Sequence, residues 1–129
     1  MRQRNIKNLE ERLELNSTYL VREPKAWKGR WRQVFGNDNP IYLEIGCGKG
    51  QFINRKAMLN PQINYIAIEG QSNVVLRAME KAQDAGLGNL RIFITFVNDL
   101  EDYFEKGELT GIYLNFSDPC IPGRCVGAV

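Results

Sequence analysis

Ile41-Tyr42-Leu43-Glu44-Ile45-Gly46-Cys47-Gly48-Lys49-Gly50 is the stretch that decides the fold. Residues 41–45 read as a buried strand, and a glycine-rich turn follows it. Gln51 to Leu59 then reads as a helix, stopped by Asn60-Pro61. Glycines in such a turn let the backbone bend sharply and approach a ligand with no Cβ in the way. The spacing is G-x-G-x-G, not the G-x-G-x-x-G of a dinucleotide fingerprint, and an acid, Glu44, precedes it. A carboxylate repels a pyrophosphate but attracts a ligand that carries sulfonium and ammonium charges. That charge logic favours S-adenosylmethionine over a nicotinamide dinucleotide. Gly46, Gly48 and Gly50 are therefore candidate cofactor-binding positions, with Glu44.

Outward from this turn the chain keeps alternating. Asn64 to Ile68 reads as a second strand, and Gln71 to Ala85 as a helix whose inner face is Val75, Met79 and Ala82. Gly86 and Gly88 end that helix. Leu90 to Val97 reads as a third strand, Leu100 to Phe104 as a short helix closed by Gly107, and Gly111 to Phe116 as a fourth strand. Strand–helix alternation with apolar strands predicts a parallel sheet with helices on both faces. Right-handed crossovers make it doubly wound, with its ligand at the carboxyl ends of the strands. Glu69 stands at one such end, 23 residues after Gly46, where an acid accepts hydrogen bonds from ribose hydroxyls. Asn115-Phe116-Ser117-Asp118-Pro119 leaves the fourth strand as a polar cluster, and Asp118 is the candidate catalytic residue there.

The first forty residues read as an appendage that ends at the turn Gly36-Asn37-Asp38-Asn39-Pro40. Residues 1–35 hold nine Lys/Arg and four Glu, a balance of +5; residues 36–129 hold eight bases and eleven acids, a balance of −3. A basic arm on an acidic body points to a polyanion that touches one region, with Arg2 and Arg4 among the candidate contacts. Trp27 and Trp31 are four apart and would share a helix face, as packing anchors more readily than as stacking platforms. The expected organisation is a basic arm over 1–40, a cofactor-binding subdomain over 41–119 and an aberrant tail over 120–129.

Composition excludes several classes. Three cysteines without any histidine make neither a disulfide framework nor a zinc site, so no metal is expected. No apolar run reaches membrane-spanning length, and MRQRNIKNLEERLELN has no apolar core of a signal peptide, so a cytoplasmic setting is expected.

EIGCGKGQFI (44–53), NYIAIEGQ (64–71) and IYLNFSDP (112–119), in this order, resemble the bacterial tRNA (guanine-N7-)-methyltransferase family. RQRN (2–5) and KGRWRQVFGNDNPIYLEIG (28–46) are similar to its N-terminal region, so the likeness covers about residues 1–119. The resemblance implies a Rossmann-like class I methyltransferase fold, S-adenosylmethionine as cofactor and tRNA as partner. It matches Glu44 and Glu69 to cofactor-binding acids, and Asp118 to an acid that serves both cofactor binding and catalysis. The reaction it implies moves a methyl group to guanine N7, an acceptor with no proton to remove. The chain's task would then be in-line alignment and support of positive charge on the purine.

Two positions depart from the family pattern. Phe96 stands where the family has a further cofactor-contacting acid, so either that polar contact is lost or Asn98, just beyond, substitutes for it. After Pro119 the family continues with a tryptophan and a basic run, whereas Cys120-Ile121-Pro122-Gly123-Arg124 stands here. The expectation is an incomplete, roughly four-stranded copy that transfers methyl slowly or not at all. The alternatives are a non-catalytic cofactor- or nucleotide-binding remnant, an NAD-binding half-domain, and a basic RNA-binding module.

Overall fold

The computed structural model describes residues 8–15, 18–46, 50–96 and 99–114. Its centre is a four-stranded parallel sheet: β1 (Ile41–Ile45), β2 (Asn64–Glu69), β3 (Leu90–Ile94) and β4 (Gly111–Leu114), in the order β3-β2-β1-β4. Among the described residues, four helices accompany it: α1 (Leu9–Leu15), α2 (Trp31–Phe35), α3 (Gln51–Leu59) and α4 (Ser72–Asp84). None of the helices described is long and apolar enough to cross a membrane.

The expected strands and crossover helices are present, with small differences at their ends. The stretch Leu100 to Phe104 is a 3-10 turn over Leu100–Asp102 rather than a longer helix. Asp99 accepts a hydrogen bond from the Glu101 amide and starts the turn. Tyr103 and Phe104 then leave it with their rings buried. β3 ends at Ile94, short of the expected strand, with Thr95 and Phe96 beyond it; Val97 and, of the fourth strand, Asn115 and Phe116 lie outside the described residues.

Side chains alternate between the two faces of the sheet, as a strand period of two requires. Tyr65 and Ala67 of β2 pack with Ile53 and Ala57 of α3 and with Val75, Leu76 and Met79 of α4. Ile66 and Ile68 point the other way, with Leu43, Trp31, Phe93 and Phe104. Both crossover helices thus lie on one face, because β1, β2 and β3 are laid down in one direction across the sheet. The second face is closed by the N-terminal segment and by the 3-10 turn. Trp31 is wholly buried there, its ring stacked on Phe93 at 5.8 Å and its Nε1 donating to the Tyr103 carbonyl at 2.8 Å.

Trp31 is therefore a packing anchor, but it shares no helix face with Trp27. Trp27 ends a separate 3-10 turn over Pro24–Trp27, and Gly29 at φ 78° breaks the backbone between the two. Glu108 fastens this region. Its Oε1 accepts from the Gly29 amide at 2.9 Å and its Oε2 from the Trp31 amide at 3.0 Å.

The stretch expected as an arm contributes further to the core. Leu13, Tyr19, Leu20 and Val21 are buried. The Val21 amide donates to Ile92 and the Ile92 amide to Tyr19, at 2.8 and 2.7 Å, so residues 19–21 cover the outer edge of β3. Arg12 of α1 makes a bidentate pair with Glu80 of α4, with contacts of 2.7–3.1 Å. Lys25, Lys28, Arg30 and Arg32 remain exposed.

Candidate cofactor site

β1 has neighbours on both sides laid down in opposite directions: β2 then β3 on one flank, β4 on the other. The strand order reverses there, and in open parallel sheets the ligand crevice lies beyond the carboxyl ends at such a point. The register brings the candidate residues together at this rim. Ile45 is level with Ile68 of β2 and with Leu114 of β4. The ladder continues one step past β1, because the Gly46 amide donates to the Ile68 carbonyl at 2.8 Å. Gly46, at φ 79°, then turns the chain away.

Glu44, level with Ala67 and Tyr113, is fully buried on the sheet face that carries α3 and α4. An acid placed there is a built feature of the rim, since an ionised carboxylate is costly inside a protein unless polar groups meet it.

Gly50 heads α3 at φ 83°, a left-handed conformation that only glycine adopts at no steric cost. It is buried, and a Cβ built on it would stand 2.6 Å from the Ala78 Cβ of α4. Asn54, one turn further along α3, donates from Nδ2 to the Ala78 carbonyl at 3.2 Å. Gly50 thus lets α3 start close against α4. Nothing in the local sequence marks Ala78 or Asn54 as its partners.

Glu69 ends β2, half-buried and level with Ile94. Its Oε2 accepts hydrogen bonds from the Gly70 amide at 2.9 Å and the Gln71 amide at 3.2 Å, so backbone donors orient the carboxylate at the rim. The β2–β3 ladder runs on through the Thr95 amide to the Glu69 carbonyl at 3.0 Å. That brings Phe96 to the rim beside Glu69. A Cβ on Gly70 would overlap the Phe96 ring, so the ring lies directly against the Gly70 backbone. Phe96 is nonetheless 75% exposed.

Of the residues expected from sequence, Glu44, Gly46, Gly50 and Glu69 are brought to one edge. Gly48, Asn98, Asp118, Arg2 and Arg4 lie outside the described residues. Sequence reading missed Gly70, whose signal is its position directly after the ribose-type acid. No cluster of three or more metal-ligating side chains occurs among the described residues. A cavity of about 490 Å³ opens on the opposite face, between Lys28, Phe104, Gly107 and Ile112. It contains none of the expected residues.

The fold defines a parallel α/β domain with two acids and two glycines gathered at the carboxyl edge of its sheet. Residues 38–124 match a protein family described as "Putative methyltransferase". The chain belongs to this methyltransferase family. It is 49% identical over 119 residues to a tRNA (guanine-N(7)-)-methyltransferase of Streptococcus pneumoniae strain 70585, and 48% identical to that of strain Hungary19A-6. Each alignment covers 92% of this chain, and the chain spans 56% of the length of these relatives. Among solved structures, an RNA methyltransferase from Salinibacter ruber in complex with S-adenosyl-L-homocysteine overlays with a TM-score of 0.47. Its sequence identity is 19%, over 87% of this chain and 60% of that one.

Proposed function

We propose that the chain is the cofactor-binding part of a tRNA (guanine-N7-)-methyltransferase that uses S-adenosylmethionine. The observation that carries the reading is Glu69, a carboxylate held by two backbone amides beside the Gly46 turn. An acceptor fixed in advance loses little further freedom when it takes a pair of ribose hydroxyls. Buried Glu44 places a carboxyl acceptor at the same rim, which suits a ligand carrying ammonium donors and not a pyrophosphate. Gly46, Gly48, Gly50 and Asn98 complete the proposed cofactor set.

When bound, S-adenosylmethionine supplies a methyl carbon activated by its sulfonium. The rest of the work falls to the chain and is mainly positional, because guanine N7 bears no proton and needs no general base. Asp118 is proposed to support the positive charge that develops on the purine. The base must be reachable, which favours an unstacked nucleotide. The basic segment over 1–40, with Arg2 and Arg4, is proposed to meet the tRNA phosphates, next to a cofactor subdomain over 41–119 and a tail over 120–129. The cytoplasm is the proposed setting.

Isothermal titration with S-adenosyl-L-homocysteine and with NAD tests the reading. Glu69→Ala is expected to weaken S-adenosyl-L-homocysteine by about 1.5–3 kcal/mol, the scale for losing charge-assisted hydrogen bonds. Tighter binding of NAD than of S-adenosyl-L-homocysteine would overturn it.

A further inference from the structure

Phe96 is the most exposed large apolar side chain of the described residues, at 75%, and it stands at the cofactor rim rather than on an outer helix. Its ring is not loosely placed. It rests on Gly70, the residue directly after Glu69, and any larger residue at position 70 would displace it. Glu69 is in turn fixed by the Gly70 and Gln71 amides, so ring, glycine and carboxylate form one braced unit. One face of the ring is backed by backbone, and much of its surface faces water. A supported aromatic face beside a ribose-binding acid is a platform for the base joined to that ribose.

We infer that Phe96 is the adenine platform of this chain, holding the base by contact against its face. The inference rests on the cofactor reading above and deepens it. The nearness of Glu69 favours the cofactor's base over a base of the RNA, because a ribose held at Glu69 carries its own base to the neighbouring position. Face contact is indifferent to the exocyclic group, since every base has a π-face. The site should therefore discriminate poorly between adenine and its deaminated form, hypoxanthine.

The experiment is isothermal titration of S-adenosyl-L-homocysteine and S-inosyl-L-homocysteine into the unmodified chain, Phe96→Ala, Phe96→Trp and Phe96→Asp. Each variant is first checked for an unchanged unfolding transition, which its exposed position should preserve. Loss of base–aromatic contact is expected to weaken S-adenosyl-L-homocysteine by about five- to a hundredfold in Phe96→Ala. Phe96→Trp should bind within about threefold of the unmodified chain, and the two nucleosides within about threefold of each other, since stacking tolerates changes in either ring system. If the unmodified chain does not bind S-adenosyl-L-homocysteine at all, both this inference and the cofactor reading fall. If it binds, but Phe96→Ala binds as well or Phe96→Asp binds more tightly, the platform alone is wrong. A loss of tRNA affinity in Phe96→Ala with cofactor affinity unchanged would assign the ring to the RNA and likewise overturn it.

Discussion

Replacing Gly50 by alanine tests whether the start of α3 is set by its packing on α4. Two costs are legible at that position. The backbone sits at φ 83°, and an L-residue in the left-handed region costs roughly 1–2 kcal/mol. The new Cβ would stand 2.6 Å from the Ala78 Cβ and 3.0 Å from its Cα. Carbon atoms normally approach to about 3.5–4.0 Å, so α3 and α4 must part by a good fraction of an ångström. Overpacking of this kind costs about 1–3 kcal/mol. Against these, alanine restricts the unfolded chain and returns roughly 0.4–1 kcal/mol. The net expectation for Gly50→Ala is a destabilisation of about 1–5 kcal/mol. Urea unfolding followed by tryptophan fluorescence measures it, since Trp31 is buried in the same domain. The contact itself is isolated by adding Ala78→Gly. That change alone weakens α4 by about 1 kcal/mol. In the Gly50→Ala background it removes the nearer clash, so the double variant should be more stable than the summed single effects by about 1 kcal/mol or more. Strict additivity, or a loss below about 0.5 kcal/mol for Gly50→Ala, would refute the argument that this glycine exists for helix contact.

Three further outcomes are expected. Trp31→Ala should cost about 3–5 kcal/mol in denaturant unfolding, the range for emptying a fully buried aromatic site, and Trp31→Phe less, since it chiefly leaves the Tyr103 carbonyl without its Nε1 donor. Burial, together with Tyr113 and Tyr42 nearby, raises the pKa of Tyr65 above its ordinary value of 10.0. The folded chain thus keeps this proton longer than the unfolded one, so the contribution is full below about pH 10 and is lost as pH rises through the raised value; Tyr65→Phe should flatten that alkaline fall in unfolding free energy. Finally, tRNA affinity in gel shifts should fall as salt rises, and neutralising Arg2, Arg4 and Lys7 together should reduce the slope of log affinity against log salt by roughly 2–3, while an unchanged slope would remove this segment from the phosphate contacts.

Much of the sheet was legible because each element carries a local signal. The apolar runs at 41–45 and 64–68 have strand length and end at turn residues, and the spacing of Val75, Met79 and Ala82 is helical. Gly36-Asn37-Asp38-Asn39-Pro40 is a turn for reasons contained in it: Gly36 takes φ 77° at the end of α2, and Asn37 Oδ1 accepts the Asn39 amide at 3.0 Å. The same oxygen also takes Nδ2 of Asn64 at 2.7 Å, which ties the turn to the start of β2 and has no local signal.

The sequence by itself determined the alternation, the parallel sheet, and the placing of Glu44 and Glu69 at strand ends, because period, turn chemistry and charge act over a few residues. Tertiary structure decided what those residues meet. The segment before residue 40 has no clear periodicity, yet Trp31 and Val21 close one face of the sheet while Tyr19 and Leu13 join the core of the other. The sheet leaves its second face bare after two crossovers on the first, and among the described residues the distant N-terminal segment covers it together with the 3-10 turn. Phe96 was a missing acid in the sequence and is a braced ring in the structure, because its support, Gly70, comes from a different strand end. Such contacts join residues 26 or more positions apart, and no local pattern encodes which distant surface a side chain will find.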